Sequence, residues 1–366
     1  MALQAGIVGL PNVGKSTLFN AVSNSAKAQA SNYRFCTIDP NVGLVDVPDP
    51  RLQKLTELVI PQRTVPTQIE IVDIAGLVRG ASKGEGLGNK FLANIREVDA
   101  IIHVIRCFED ENIVHVAGGV DPLFDKEVID TELQLKDLES VEKKIQRIEK
   151  IAKSGDAKAR TELETLLQFK DGLTAGLNAR AIDVEKEDLE AVRDLHLLTI
   201  KPVLYVANVD ESSIHTGNAF VERLREKVKE EHAEVIVLCA AIESQIAEFD
   251  DPEEKDMFLD EYGLKESGLN RLIYGAYSLL NLITYFTAGV QEVRAWTIRK
   301  GWKAPQAAGV IHTDFERGFI KAEVIAIADY KQFKTEAGCR ENGKISIEGK
   351  EYVVQDGDIM HFRFNV

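Results

Sequence analysis

Residues Gly9-Leu10-Pro11-Asn12-Val13-Gly14-Lys15-Ser16 satisfy the pattern GxxxxGK[ST] and emerge from an apolar, strand-like run, Gly6 to Leu10. This pattern fixes a local geometry. The glycines let the backbone curl until several N–H groups converge on one point, and a helix starting at the lysine adds the positive end of its dipole. Such a loop suits phosphate oxygens. Asn12, Val13 and Gly14 supply its backbone, Lys15 reaches the β and γ oxygens, and the Ser16 hydroxyl, with Thr17 beside it, is a ligand for Mg²⁺.

Similar apolar runs recur at Ile69 to Ile74, Ala100 to Cys107, Pro202 to Val209 and Val235 to Ile242, with helix-like stretches such as Ser16 to Ser25 and Ala219 to Glu231 between them. Strands this uniformly apolar must be covered on both faces, so the alternation predicts an α/β core on a parallel sheet. At 366 residues the chain is long enough for two or three domains.

The 44 Lys+Arg against 59 Asp+Glu leave a formal charge of −15. That excludes a protein coating nucleic acid by bulk charge, because each phosphate contact needs a local cation, but it permits a local basic patch. Cys36, Cys107, Cys239 and Cys339 form no CxxC pair and no His/Cys cluster, so no disulfide framework or zinc site is readable. With no basic leader and no apolar stretch near roughly 18 residues, the expectation is a cytoplasmic protein without a membrane span.

Asp73-Ile74-Ala75-Gly76 closes the apolar run that begins at Ile69. A DxxG at a strand end after a phosphate loop places Asp73 on the Mg²⁺ and lets the Gly76 N–H sense the γ-phosphate. Thr37, between the two motifs, is the candidate for a second hydroxyl on the metal.

From Pro122 to Pro202 the rhythm breaks. Leu138, Val141, Ile145 and Ile148 repeat at helical spacing among alternating charges, Ser154-Gly155-Asp156 can reverse the chain, and Leu163, Leu166 and Leu167 mark a returning helix. This predicts a helical hairpin arm over 125–199, inserted in a nucleotide-binding domain of 1–124 and 200–280. Residues 281–366 carry strand-like segments at Arg294 to Ile298, Gly318 to Val324 and Asp358 to Phe364 and a net charge of +1, which predicts a separate α+β domain. Within it, Arg294, Arg299, Lys300, Trp302 and Lys303 make a candidate RNA-facing patch of cations and aromatics.

The segment DIAGLVRGASKGEGLG, Asp73 to Gly88, resembles the glycine-rich switch of Obg-related translation-factor GTPases. Together with GLPNVGKST, FCTIDPN, NVDE and the run from TYFTAG to FIKAEV, it makes the whole chain resemble the YchF-type, Obg-like ATPases. The resemblance implies a Ras-like P-loop NTPase domain, a coiled-coil hairpin insertion and a C-terminal ubiquitin-like TGS domain. It also implies a ribosomal partner, on the large subunit, with RNA contact through arm and TGS domain.

Base choice rests on Asn208-Val209-Asp210-Glu211, which stands where guanine-specific relatives have NKxD. The lysine is replaced by Val209, and the final carboxylate, on Glu211, is one methylene longer, so the bidentate guanine contact is damaged. The resemblance makes ATP the preferred nucleotide and GTP the weaker one, with Asn208, Val209 and Glu211 at the base and Cys239-Ala240-Ala241 as a backbone cradle. Leu77 follows DxxG where a water-orienting Gln is otherwise found. By resemblance, Asn12 can hold a K⁺ near the phosphates and His115 can approach the nucleotide as a catalytic group. Arg34 replaces a usual Pro before Cys36, and Arg79 replaces an acid of Obg proteins proper. A GTPase of the same fold, or a nucleotide-gated binding module with little turnover, are the competing readings.

Overall fold

The described residues of the computed structural model are 3–30, 42–74, 87–113, 119–231, 233–249 and 251–365. Thr37, Gly76 and His115, with Arg34, Leu77 and Arg79, lie outside them. The chain divides into two compact units, 1–43 with 70–272 and 44–69 with 273–366.

The first unit is built on a sheet with the order β2 (Val42–Asp46), β4 (Gln68–Asp73), β1 (Gln4–Val8), β5 (Ala100–Arg106), β6 (Val203–Asn208) and β7 (Val235–Leu238). Strand β1 runs parallel to β4 and β5, β5 to β6, and β6 to β7. Every residue of β5 and β6 is buried, as strands covered on both faces require, whereas β2 at the sheet edge alternates. The apolar run Val235 to Ile242 is strand only to Leu238, and Ala240–Ile246 is already a helix. Helices α1 (Lys15–Ala30) and α3 (Leu87–Glu97) belong to this unit, whereas α2 (Pro50–Val59), between them in sequence, belongs to the second.

The arm is α4 (Pro122–Ala152) and α5 (Ala157–Thr174). Asp121 caps α4 by accepting from the Leu123 N–H, with Pro122 pre-set for the first turn, and Asp156 caps α5 by accepting from the Ala159 N–H. Between them Gly155 takes φ 101°, the left-handed turn conformation that glycine adopts without strain. Val141 of α4 packs with Leu166, Phe169 and Leu173 of α5, flanked by Leu138, Ile145 and Ile148. Leu167, expected in this stripe, is 42% exposed, because the buried positions step from 166 to 169 and 173.

At the root of the arm, the Lys126 ammonium lies 2.5 Å from Asp130 and 2.6 Å from Glu231, and Arg180 binds Glu231 at 2.6 Å. Asp137, fully buried, accepts from the Leu198 and Thr199 N–H groups and the Thr199 hydroxyl, which ties the returning chain to α4.

The second unit has the sheet order β11 (Ser346–Glu348), β10 (Phe319–Ala326), β12 (Asp358–Phe364), β8 (Leu282–Ala288), β9 (Glu292–Arg299) and β3 (Arg63–Val65). Leu52 and Leu55 of α2 pack with Phe286, Val293 and Ile359, β3 adds to β9 in parallel, and Arg51 forks onto Asp49 and Asp356, each at 2.8 Å. Residues 44–69 therefore group with the C-terminal part, whereas sequence reasoning left them with the nucleotide-binding domain. Their apolar spacing carries no mark of which sheet they cover.

Candidate nucleotide site

Strand β1 drives its buried Ile7 and Val8 up to the loop Gly9–Gly14, and α1 starts at Lys15. Two glycines there are required by space as well as conformation. A Cβ on Gly9 would come within 2.7 Å of the Val104 carbonyl oxygen, and one on Gly14, at φ 93°, within 2.2 Å of the Asn208 side-chain nitrogen. Asn12 takes φ 65°, a left-handed position that asparagine tolerates better than most residues. The buried Val13 anchors the loop, while Asn12, Ser16 and Thr17 are exposed along its rim.

Asp73 is the last residue of β4 and registers with Ile7 of β1, so the sheet sets its carboxylate beside the start of the loop. The Lys15 ammonium forms an ion pair with it across 58 positions of sequence. The Ser16 hydroxyl and the Asp73 carboxylate are both oxygen donors, the set a hard divalent cation such as Mg²⁺ takes. These residues fit that ion.

On the other side, β6 ends in Asn208, which is only 4% exposed. Its amide nitrogen donates to the Val13 carbonyl and its oxygen accepts from the Ala240 N–H, both at 2.9 Å. Asn208, assigned to the base by sequence reasoning, thus holds the loop, strand β6 and the Cys239-Ala240-Ala241 element in one arrangement. Val209 is buried and its N–H donates to Leu238. Asp210 caps the short turn Glu211–Ser213, and the Ser212 hydroxyl, with the Ser213 N–H, holds its carboxyl below the usual range. Glu211 is exposed. Burial first, and then Glu211 among nearby carboxylates, raises the Cys239 thiol. The structure thus brings together Asn12 to Thr17 with Asp73, and Asn208 to Glu211 with Ala240.

Sequence reasoning missed two anchors of this frame, one buried and one half-buried. Glu243, 1% exposed, accepts from the Gly268 and Leu269 N–H groups and so caps the helix Gly268–Leu279. Lys201 donates to the carbonyls of Arg96 and Val98 at the end of α3. Neither sits in a motif; the nearest signal is a charged residue beside an apolar run. Among the described residues, no group of three or more His, Cys, Asp or Glu could hold a metal by itself, and no helix is long and apolar enough to cross a membrane.

A parallel sheet with this loop on its first strand, an aspartate closing the neighbouring strand and an asparagine fastening the base-side elements defines a P-loop nucleoside triphosphatase fold, here with a second, C-terminal unit. The chain belongs to the YchF family. It is 60% identical to the ribosome-binding ATPase YchF of Bacillus subtilis over 368 residues and 56% identical to that of Escherichia coli O157:H7 over 366, covering 100% of each chain in both cases. The solved YchF GTPase of Schizosaccharomyces pombe matches with a TM-score of 0.90 at 41% identity, over 99% of this chain and 98% of that one. Two family models match as well, "50S ribosome-binding GTPase" over residues 4–158 and YchF-GTPase_C, "Protein of unknown function (DUF933)", over 282–365.

Proposed function

We propose that this chain is an ATP-hydrolysing P-loop switch that acts at the ribosome. The observation that carries the reading is the juncture of Lys15 with Asp73 and of Asn208 with Val13, which joins a phosphate loop to a base-side element carrying Glu211 in place of the guanine-reading aspartate. The name of the Bacillus subtilis relative, a ribosome-binding ATPase at 60% identity, supports both halves.

In this reading, backbone N–H groups from Asn12 to Thr17 and the Lys15 ammonium take the β and γ oxygens, while Ser16, Asp73 and Thr37 hold Mg²⁺. Bound there, the ion neutralises charge on those oxygens. Loss of the γ-phosphate releases the segments around Thr37 and Gly76. Leu77 has no group to orient water, so His115 supplies that role, and Asn12 holds a K⁺ that adds positive charge near the phosphates. Val209 and Glu211 favour adenine. Ribosome contact runs through RNA, on the large subunit, with the arm and the C-terminal unit as the contacting parts.

Nucleotide competition by calorimetry tests the base reading: ATP is expected to bind at least tenfold more tightly than GTP, and the reverse order overturns it. The Schizosaccharomyces pombe relative is described as a GTPase, which makes guanine the second reading. Turnover in K⁺ and in Na⁺, with and without ribosomes, tests the rest. Negligible hydrolysis in all four conditions leaves a nucleotide-gated binding module.

A further inference from the structure

The turn of the arm differs in charge from the rest of it. Residues 147–160 hold five cations, Arg147, Lys150, Lys153, Lys158 and Arg160, against Glu149 and Asp156, a net of +3, in a segment 125–195 whose total is −5. Pairing follows the same division. Lower on the arm, Lys126, Lys136, Lys143, Lys144, Lys170 and Arg180 each meet a carboxylate. At the turn, Lys153 pairs with Glu149, and Asp156 is occupied as the cap of α5. Arg147, Lys150, Lys158 and Arg160 are exposed and meet no carboxylate among the described residues.

Unneutralised like charges within one hairpin turn repel each other and cost stability, so the hairpin would fold at least as well with them paired or replaced. Their placement points outward. A 31-residue α4 is about 46 Å long at 1.5 Å per residue, several times the Debye length of about 8 Å at physiological salt. The overall charge of −15 is therefore screened from the turn, which presents its own positive field.

Resting on the ribosomal reading above, we infer that the arm's turn is an RNA-docking site in which Arg147, Lys150, Lys158 and Arg160 contact backbone phosphates. The alternative patch in the C-terminal unit is partly spent: the Arg294 guanidinium lies 4.0 Å over the Trp296 ring, Lys303 pairs with Glu351, and Trp302 packs on the core.

The test compares the wild-type chain with R147A/K150A/K158A/R160A and with K136A/K143A, which removes arm cations already neutralised by Glu139. Binding to purified ribosomes and to protein-free ribosomal RNA is measured across a salt titration. Each lost phosphate contact lowers the log–log salt slope by roughly 0.9, so the quadruple variant should lose about 3.6 units of slope and at least tenfold in affinity at 0.1 M salt. K136A/K143A should match wild type, and basal nucleotide hydrolysis should be unchanged in both variants, which certifies folding. Equal slopes for wild type and the quadruple variant overturn the inference while leaving the ribosomal reading standing. Wild-type binding to ribosomes but not to protein-free RNA also overturns it, in favour of an acidic protein partner. A wild-type chain that binds neither overturns the ribosomal reading itself.

Discussion

Asn208 donates its side-chain amide to the backbone carbonyl of Val13, 195 residues earlier in the chain, at 2.9 Å. The same side chain accepts from the Ala240 N–H, so one buried amide sets the spacing between the phosphate loop and the base-side elements. The Lys15–Asp73 pair does the corresponding job on the metal side.

Replacing Asn208 with alanine should weaken ATP and GTP alike. A buried N–H and a buried carbonyl lose their partners, which costs about 1–3 kcal/mol and lets the loop drift from the strand. Calorimetry should give roughly a 10- to 100-fold loss for both nucleotides with their ratio unchanged, since the amide faces the loop and Ala240.

Glu211→Asp should behave in the opposite way. Glu211 is exposed and caps nothing, so shortening it leaves the loop intact and returns the carboxylate to the guanine-reading length. The expected outcome is a fall in the ATP/GTP affinity ratio of about tenfold, near 1.4 kcal/mol, with little change in thermal stability.

At the arm root, Glu231→Ala strips Arg180 of its carboxylate and Lys126 of one of two. Leaving buried cations short of a partner costs about 3–5 kcal/mol, whereas Lys136→Ala, at a half-buried position beside the more open Glu139, should cost about 1 kcal/mol or less. Chemical denaturation midpoints would separate the two.

His103 lies on β5 with its ring 5.5 Å from that of Tyr205 and its Nε2 atom without a hydrogen-bond partner among the described residues. Burial lowers its pKa from the ordinary 6.5 to about 4, assisted by Lys126 and Arg180 and opposed by Asp130 and Glu231. A depressed pKa means the unfolded chain takes up the proton first. Stability contributed by neutral His103 is therefore present above pH 6.5 and lost as pH falls to about 4, at up to about 1.4 kcal/mol per pH unit. His103→Phe should flatten the stability profile in that window by this slope; parallel profiles for the two proteins would refute the assignment.

The motifs were legible because each ties residue types to a backbone shape: GxxxxGK[ST] needs its glycines at Gly9 and Gly14, and DxxG and NVDE end strands that read as apolar runs. The arm was legible from the spacing of Val141 and its neighbours. Less legible was anything that depends on a distant partner. Leu52 and Leu55 advertise burial but not against Phe286, the run to Ile242 has no period that separates strand from helix after Leu238, and nothing around Asn208 announces Val13. The expectations for Thr37, Gly76 and His115 fall outside the described residues.

The excursion of residues 44–69 makes the C-terminal unit non-detachable. A chain cut after residue 280 keeps α2 and β3 but loses Phe286, Val293 and Ile359, the residues that shield Leu52 and Leu55, and it loses Asp356, the far partner of Arg51. What a linear map draws as a terminal appendix is, in modular terms, an insertion and a tail sharing one core. Trimming such a protein would expose apolar surface on the part that remains, so the smallest autonomous version of the nucleotide unit must also lose α2 and β3, the excursion between β2 and β4, while keeping both of those strands.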